Sequence, residues 1–170
     1  VSLDVPYPID YGGAIDIFYK IVSLHEAGVK IHLHCFEYGR KPTEDLDRYC
    51  SEVHYYKRHR GMQYLLSSTP FIAGTRASEE LVNKLASDNH PILFEGLHCC
   101  YHLQDERLKE KTKIVRTHNI EHDYYARLAS TEKSLFKRFY LNSEATKLKW
   151  FEGVLKHASH VAAISAADAK

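Results

Sequence analysis

Segments of strand and helix periodicity alternate along the whole chain, and this alternation restricts the fold more than any other feature. Val1 to Val5 reads as the tail of a strand and runs into the turn-rich stretch Pro6-Tyr7-Pro8-Ile9-Asp10-Tyr11-Gly12-Gly13. A helix is predicted from about Ala14 to Ala27. Ala14, Ile17, Phe18, Ile21 and Leu24 recur on one of its faces, and Gly28 stands where a helix end favours a left-handed residue. Further strands are predicted over Val29–Phe36, Glu52–Lys57, Ile92–Phe94, Lys113–Thr117 and Val161–Ile164. In the first of these, Lys30, His32 and His34 predict one face less buried than the other. A helix is predicted over Ser78–Ser87 with Ser78 as its cap. The longest is predicted over Leu135–His157, with Phe136, Tyr140, Leu148, Phe151, Leu155 and Ala158 as its core-facing stripe. Ser165-Ala166-Ala167-Asp168 has the pattern of a capped start to one more helix.

Repeated βα units of this kind imply an α/β fold: a Rossmann-like, doubly wound parallel sheet with helices on both faces, built as a single domain over 1–170. Ligands of such sheets bind beyond the carboxyl ends of the strands, where strand order reverses. Three loops qualify: Tyr7 to Gly13, Glu95 to Cys100, and His118 to Tyr125.

Charge and cysteine content narrow the classes. A net charge of +1 gives no field that would select nucleic acid. No apolar run approaches the roughly 20 residues of a spanning helix. The four cysteines, Cys35, Cys50, Cys99 and Cys100, form neither a C-x-x-C motif nor a disulfide framework, so a reducing, cytoplasmic location is expected. Cys99 and Cys100 are expected to pack as small apolar residues.

Within the loops, Gly12-Gly13 joins a strand to a helix start. Free helical N–H groups there favour an anion such as a diphosphate, and a plain tight turn accounts for the same residues. Glu95-Gly96-Leu97-His98 puts a carboxylate near an imidazole, a pair able to orient a hydroxyl or share a proton. Thr117 to Tyr125 is the richest stretch, with His118, Asn119, Glu121 and His122 able to hydrogen-bond or titrate. His118-Asn119-Ile120-Glu121-His122 also matches H-x-x-E-H, the inverted zinc-protease motif, with Glu144 and Glu152 as surface candidates for a third ligand. Lys57-Arg58-His59-Arg60 is expected to be a solvated basic loop, with anionic headgroups or a phosphate-bearing acceptor as the alternative partner.

Taken in order, four stretches resemble the N-terminal domain of bacterial glycosyltransferases of family 4, with the GT-B fold. They are Pro6 to Ile15, Ala27 to Leu33, Ile114 to His122 and Ala158 to Ser165. The resemblance implies the acceptor side of a retaining enzyme that moves a sugar from a nucleotide-sugar donor to a glycan or lipid-linked acceptor in cell-surface polysaccharide biosynthesis. It implies that Gly12 and Gly13 approach the donor diphosphate. Glu95, with His98 nearby, stands where the family usually places a pocket histidine, and His118 matches a histidine lining the acceptor side. Glu95 and His118 are thus the catalytic candidates, and Tyr11, His98, Asn119, Glu121 and His122 the acceptor cleft. No metal and no cofactor within this domain are expected. The donor-binding C-terminal domain is expected on further sequence, so the isolated domain is expected to be inactive. Peripheral contact with the inner face of the membrane is expected. A zinc hydrolase using His118, Glu121 and His122, and a non-catalytic α/β binding module, are the competing classes.

Overall fold

The computed structural model describes residues 1–164, so the helix start expected at Ser165 to Asp168 lies outside the described residues. Helix α1 spans Gly12–Glu26 and buries Ala14, Ile17, Phe18 and Ile21, the predicted stripe. It starts two residues earlier than expected because both glycines join its first turn. Gly28 closes it with φ +80, its N–H donating to His25 O, while the Val29 N–H donates to Leu24 O. Gly28 thus takes the left-handed conformation that a side chain would penalise.

Strands β1 (His32–Glu37) and β2 (Glu52–Lys57) pair in parallel, as do β3 (Ile92–Glu95), β4 (Lys113–Thr117) and β5 (His160–Ala163) in the order β3-β4-β5. The segment Val1–Leu3 lies between the two sheets and bonds to both. Ser2 N–H donates to His34 O (2.7 Å) and Phe36 N–H to Ser2 O (3.3 Å). On its other side the Val1 amine donates to Leu93 O (2.5 Å) and Glu95 N–H to Val1 O (2.9 Å).

Strand β1 is buried on both faces. Leu33 and Cys35 meet Ile17, Phe18 and Ile21 of α1, whereas Phe36 joins the larger core with Tyr56, Leu81, Phe94 and Val115. The less buried face expected from Lys30, His32 and His34 holds only at the start of the predicted strand, where Lys30 is exposed and His32 half-buried; His34 is 6% exposed and shares a 2.8 Å hydrogen bond with the Tyr56 hydroxyl. Burial holds its imidazole neutral, with a pKa lowered to about 3. Removing a fully buried ring such as Phe94 would cost about 3–5 kcal/mol.

Two short helices, α2 (Met62–Leu66) and α3 (Phe71–Gly74), precede α4 (Glu79–Ala86), whose Ser78 cap accepts from Leu81 N–H as expected. After β4 the chain forms α5 (Glu121–Thr131) and α6 (Leu135–Phe151), which pack along each other; a 3₁₀ segment, Glu152–His157, then leads into β5. The long helix predicted to His157 ends earlier, and its predicted stripe is borne out in part: Leu148 is buried and Phe151, Leu155 and Ala158 pack against the larger core. Glu144 and Leu148 are its buried residues, while Phe136 is 82% exposed.

Candidate functional site

The carboxyl ends of β3 and β4 place Glu95, Arg116 and His118 beside the flank of α1. Glu95 is 4% exposed and carries the densest set of partners. Lys20 Nζ donates to its Oε1 at 2.7 Å, His118 Nε2 lies 3.1 Å from its Oε2, and Arg116 Nη1 lies 3.6 Å from the same oxygen. Arg116 also forks onto Asp16 at 2.6 and 3.1 Å. Burial works against the Glu95 charge, yet the bonds from His118 and Lys20 prevail and hold its carboxyl at about 2. An ionised carboxylate can only accept, so the proton between the two groups sits on His118 Nε2. In the neutral imidazole, Nδ1 is then the acceptor.

Beside this network stands a second pair. Glu121 is 3% exposed, and burial raises its carboxyl to about 7 against the smaller opposing pull of His118 and the Asn119 hydrogen bond. His98 Nδ1 lies 3.9 Å from Glu121 Oε1, too far to bond, and is buried with no partner among the described residues. Burial, with Arg76, His118 and Arg58 adding like charge, lowers the His98 pKa to about 3. Near neutral pH the pair therefore offers an acid poised to lose its proton and an imidazole that stays neutral.

The start of α1 approaches the same network. Tyr11 adopts extended backbone at the cap position and provides no side-chain cap, so the first-turn N–H groups are open. Asp16 lies four residues beyond Gly12, about 6 Å along the axis. Neither Gly12 nor Gly13 has positive φ, and a Cβ on Gly12 would meet nothing within 4 Å. Arg40 secures the preceding loop: it pairs with Asp4 and Asp10, donates to Pro8 O and stacks 4.7 Å over the Tyr11 ring.

A separate cavity of about 600 Å³ opens where β1 and β2 end, lined by Tyr38, Arg58, Arg60, Met62 and Phe71 among others. Arg58 is not the solvated residue expected. Its guanidinium lies 4.0 Å over the Tyr38 ring and donates to Thr75 Oγ1 at 2.8 Å.

No protein-family model matches the chain, and no solved structure matches it. Among curated proteins it is similar to an uncharacterized 44.6 kDa protein in the cps region of Klebsiella pneumoniae. The two are 29% identical over 157 residues, which cover 88% of this chain and 40% of that protein. The chain thus spans about two fifths of the length of this relative.

Not every residue singled out in the sequence belongs to one cluster. Glu95 and His118 meet directly, and His98 and Glu121 form the adjoining pair. His122 turns away, its Nδ1 2.6 Å from Glu152. The zinc arrangement expected of H-x-x-E-H is therefore not formed. Helix α5 begins only at Glu121, so His118 lies outside it and the two histidines engage different carboxylates. Glu144 is no surface ligand either: it is fully buried and accepts from Phe71 N–H at 2.6 Å. The metal-ligating types that converge at the site are instead Asp16, Glu95 and His118, with ligand atoms within 4.8 Å of one another. Lys20 and Arg116 already occupy those carboxylates, so a cation would have to displace both. All four cysteines are free and buried, and burial raises the Cys99 thiol to about 11, in line with a packing role.

Asp16, Lys20, Arg116 and Arg40 were not legible as site residues. The first two had only the i, i+4 spacing of an ordinary wet helix face. Arg116, a cation in an otherwise buried strand, was the one usable signal.

Proposed function

We propose that this chain is the acceptor-side domain of a retaining glycosyltransferase with a GT-B fold, moving a sugar from a nucleotide-sugar donor to a glycan or lipid-linked acceptor. The observation that carries the reading is His118, fixed through Nε2 by a permanently ionised Glu95 at the carboxyl end of parallel strands. Its Nδ1 is left to accept a hydrogen bond or proton from a sugar hydroxyl. Glu95 acts as a positioning residue, since a carboxyl with a pKa of about 2 is a poor proton carrier at neutral pH.

The strand arrangement supports this reading. With Val1–Leu3 counted as a strand, the sheet runs β2, β1, Val1–Leu3, β3, β4, β5, the order of a doubly wound nucleotide-binding fold. Strand order then reverses between Val1–Leu3 and β3, and the loops leaving those two strands carry Gly12 and Glu95. The open N–H groups of α1 there suit the donor diphosphate. The Arg58 cavity supplies cationic and aromatic walls for an acceptor. The relative's cps region, a capsule polysaccharide locus, supplies the same biosynthetic context.

In this reading the remaining donor contacts come from further sequence, and the 170 residues alone hold too few walls for transfer. The deciding experiment screens sugar nucleotides on the longer natural polypeptide with lipid-linked and oligosaccharide acceptors. Transfer that is lost in His118→Ala supports the reading. Glycan binding without turnover of any sugar nucleotide would instead make the domain a binding module.

A further inference from the structure

Two histidines and an aspartate meet at the amino end of the sheet, opposite the end that carries Glu95 and His118. His32 opens β1, while Asp88 and His90 stand in the turn between α4 and β3. The two imidazoles lie edge to face, with ring centroids 5.1 Å apart. His32 and Asp88 are half-buried and His90 is exposed. One ligand atom from each of the three lies within 4.8 Å of the other two.

The Asp88 carboxylate is already oriented for such a role. His90 N–H donates to its Oδ1 at 2.9 Å. Lys111 Nζ donates to the same oxygen at 3.0 Å and also to the Asp88 carbonyl. Oδ2 lies 4.0 Å from His90 Nε2, beyond hydrogen-bond reach. Neither imidazole has a hydrogen-bond partner on its ring nitrogens among the described residues. The group formed by Asp16, Glu95 and His118 differs, because Lys20 and Arg116 engage the carboxylates a cation would need. Lys111 opposes a cation through its charge, but its bond is to Oδ1 alone of the two carboxylate oxygens.

We propose that His32, His90 and Asp88 bind a divalent transition ion, with Zn²⁺ as the expected occupant and water completing its coordination. Two imidazole nitrogens and one carboxylate oxygen suit zinc, whereas magnesium and calcium take oxygen ligands. At metal–ligand distances of about 2.0–2.1 Å, tetrahedral ligand atoms stand about 3.3 Å apart. The three atoms must therefore close by no more than about 1.5 Å, within reach of side-chain rotation at a turn. The bonds from His90 N–H and Lys111 act as the outer partners that fix a ligating carboxylate. Bound there, the ion clips β1 to β3, whose two ladders are also joined through Val1–Leu3. The inference does not depend on the transferase reading, since the cluster lies at the far end of β3 from Glu95 and takes no part in turnover.

The 170-residue chain, stripped of metal with EDTA and dialysed, is titrated with ZnCl₂ by calorimetry and melted with and without the ion. One zinc per chain is expected. At a zinc concentration one hundred times the Kd, the melting temperature should rise by at least about 5 °C. MgCl₂ and CaCl₂ should produce neither effect. His32→Ala, His90→Ala and Asp88→Asn should each weaken zinc binding at least about tenfold, whereas His118→Ala and His122→Ala should leave it unchanged. His90 is exposed, so His90→Ala is expected to melt like the wild type in EDTA, which separates lost binding from lost folding. A wild-type chain that takes up no zinc overturns the proposal. So does zinc binding that survives both His32→Ala and His90→Ala, or that is lost in His118→Ala. An equal response to magnesium overturns the choice of a transition ion.

Discussion

His118 Nε2 and Glu95 Oε2 lie 3.1 Å apart across the ends of two neighbouring strands, and the same carboxylate holds Lys20 on its other oxygen. Glu95→Gln keeps the shape and removes the charge, leaving Lys20 and Arg116 facing each other. Breaking one partner out of such a buried set costs about 3–5 kcal/mol. A fall of about that size in chemically measured unfolding free energy at pH 7 is expected. Because the folded carboxyl is depressed to about 2 from 4.5, its stabilisation is full above the unfolded value and is lost as pH falls from 4.5 toward 2. The variant should therefore approach the wild type at the acid end of that window. A constant difference at every pH would show that Glu95 acts through packing alone.

Glu121 has the opposite sign. Its folded carboxyl is raised to about 7 from 4.5, so the folded state holds its proton longer than the unfolded chain. Stability falls as pH rises through that interval, and the full penalty applies above about 7. Glu121→Gln, permanently neutral, should match the wild type below pH 4.5 and exceed it above 7 by up to about 3 kcal/mol. Melting curves across pH 4 to 8 measure this. A variant less stable than wild type at pH 8 would mean the ionised form is favoured in the fold.

The proposed transfer reaction makes His118 the sensitive residue. In the longer polypeptide, His118→Ala should lower kcat by at least about 100-fold, the ordinary contribution of a positioned acid or base. Single-turnover transfer assays give the number. An equal loss in His122→Ala would count against the assignment, because His122 is bonded to Glu152 outside this network.

Gly12 and Gly13 separate the demands of the fold from those of a ligand. A methyl on Gly12 meets open space, so Gly12→Ala should leave the melting temperature unchanged or slightly raised. If a diphosphate sits on those N–H groups, the same methyl should weaken sugar-nucleotide affinity about tenfold by calorimetric titration. Gly13→Val differs, since its Cβ would come within 2.7 Å of the Tyr11 ring and must displace it from Arg40. The obstacle there is an exposed ring, with no left-handed backbone involved. Unchanged donor affinity in both variants would reduce the pair to a turn.

Much of the sheet was readable because strand signals are local. Glu52–Lys57 and Lys113–Thr117 were bounded to the residue, and Glu95 and His118 stood out as polar groups directly after buried strands. Helix α5 was not seen, because Glu121, His122 and Asp123 open it with polar groups and leave Ala129 as its one buried apolar residue. In α6 the apolar pattern held at Leu148 and Phe151 and failed at Phe136, which faces solvent. A periodic stripe reports which side chains avoid water, and cannot separate a core from any other apolar contact. Asp16, Lys20 and Arg116 became a site only through contacts about 75–100 residues apart in sequence, which no local pattern encodes.

The short seam formed by Val1–Leu3 ties the amides of Phe36 and Glu95 to a single event. Each donates to a carbonyl of this segment, one from either sheet. Neither amide can reach solvent deuterium without a bond to the seam breaking. If the seam detaches as a unit, the two exchange rates should move together under denaturant although the residues are far apart in the chain. Isotope exchange at Phe36 then becomes a remote gauge of how firmly Glu95 is held in place.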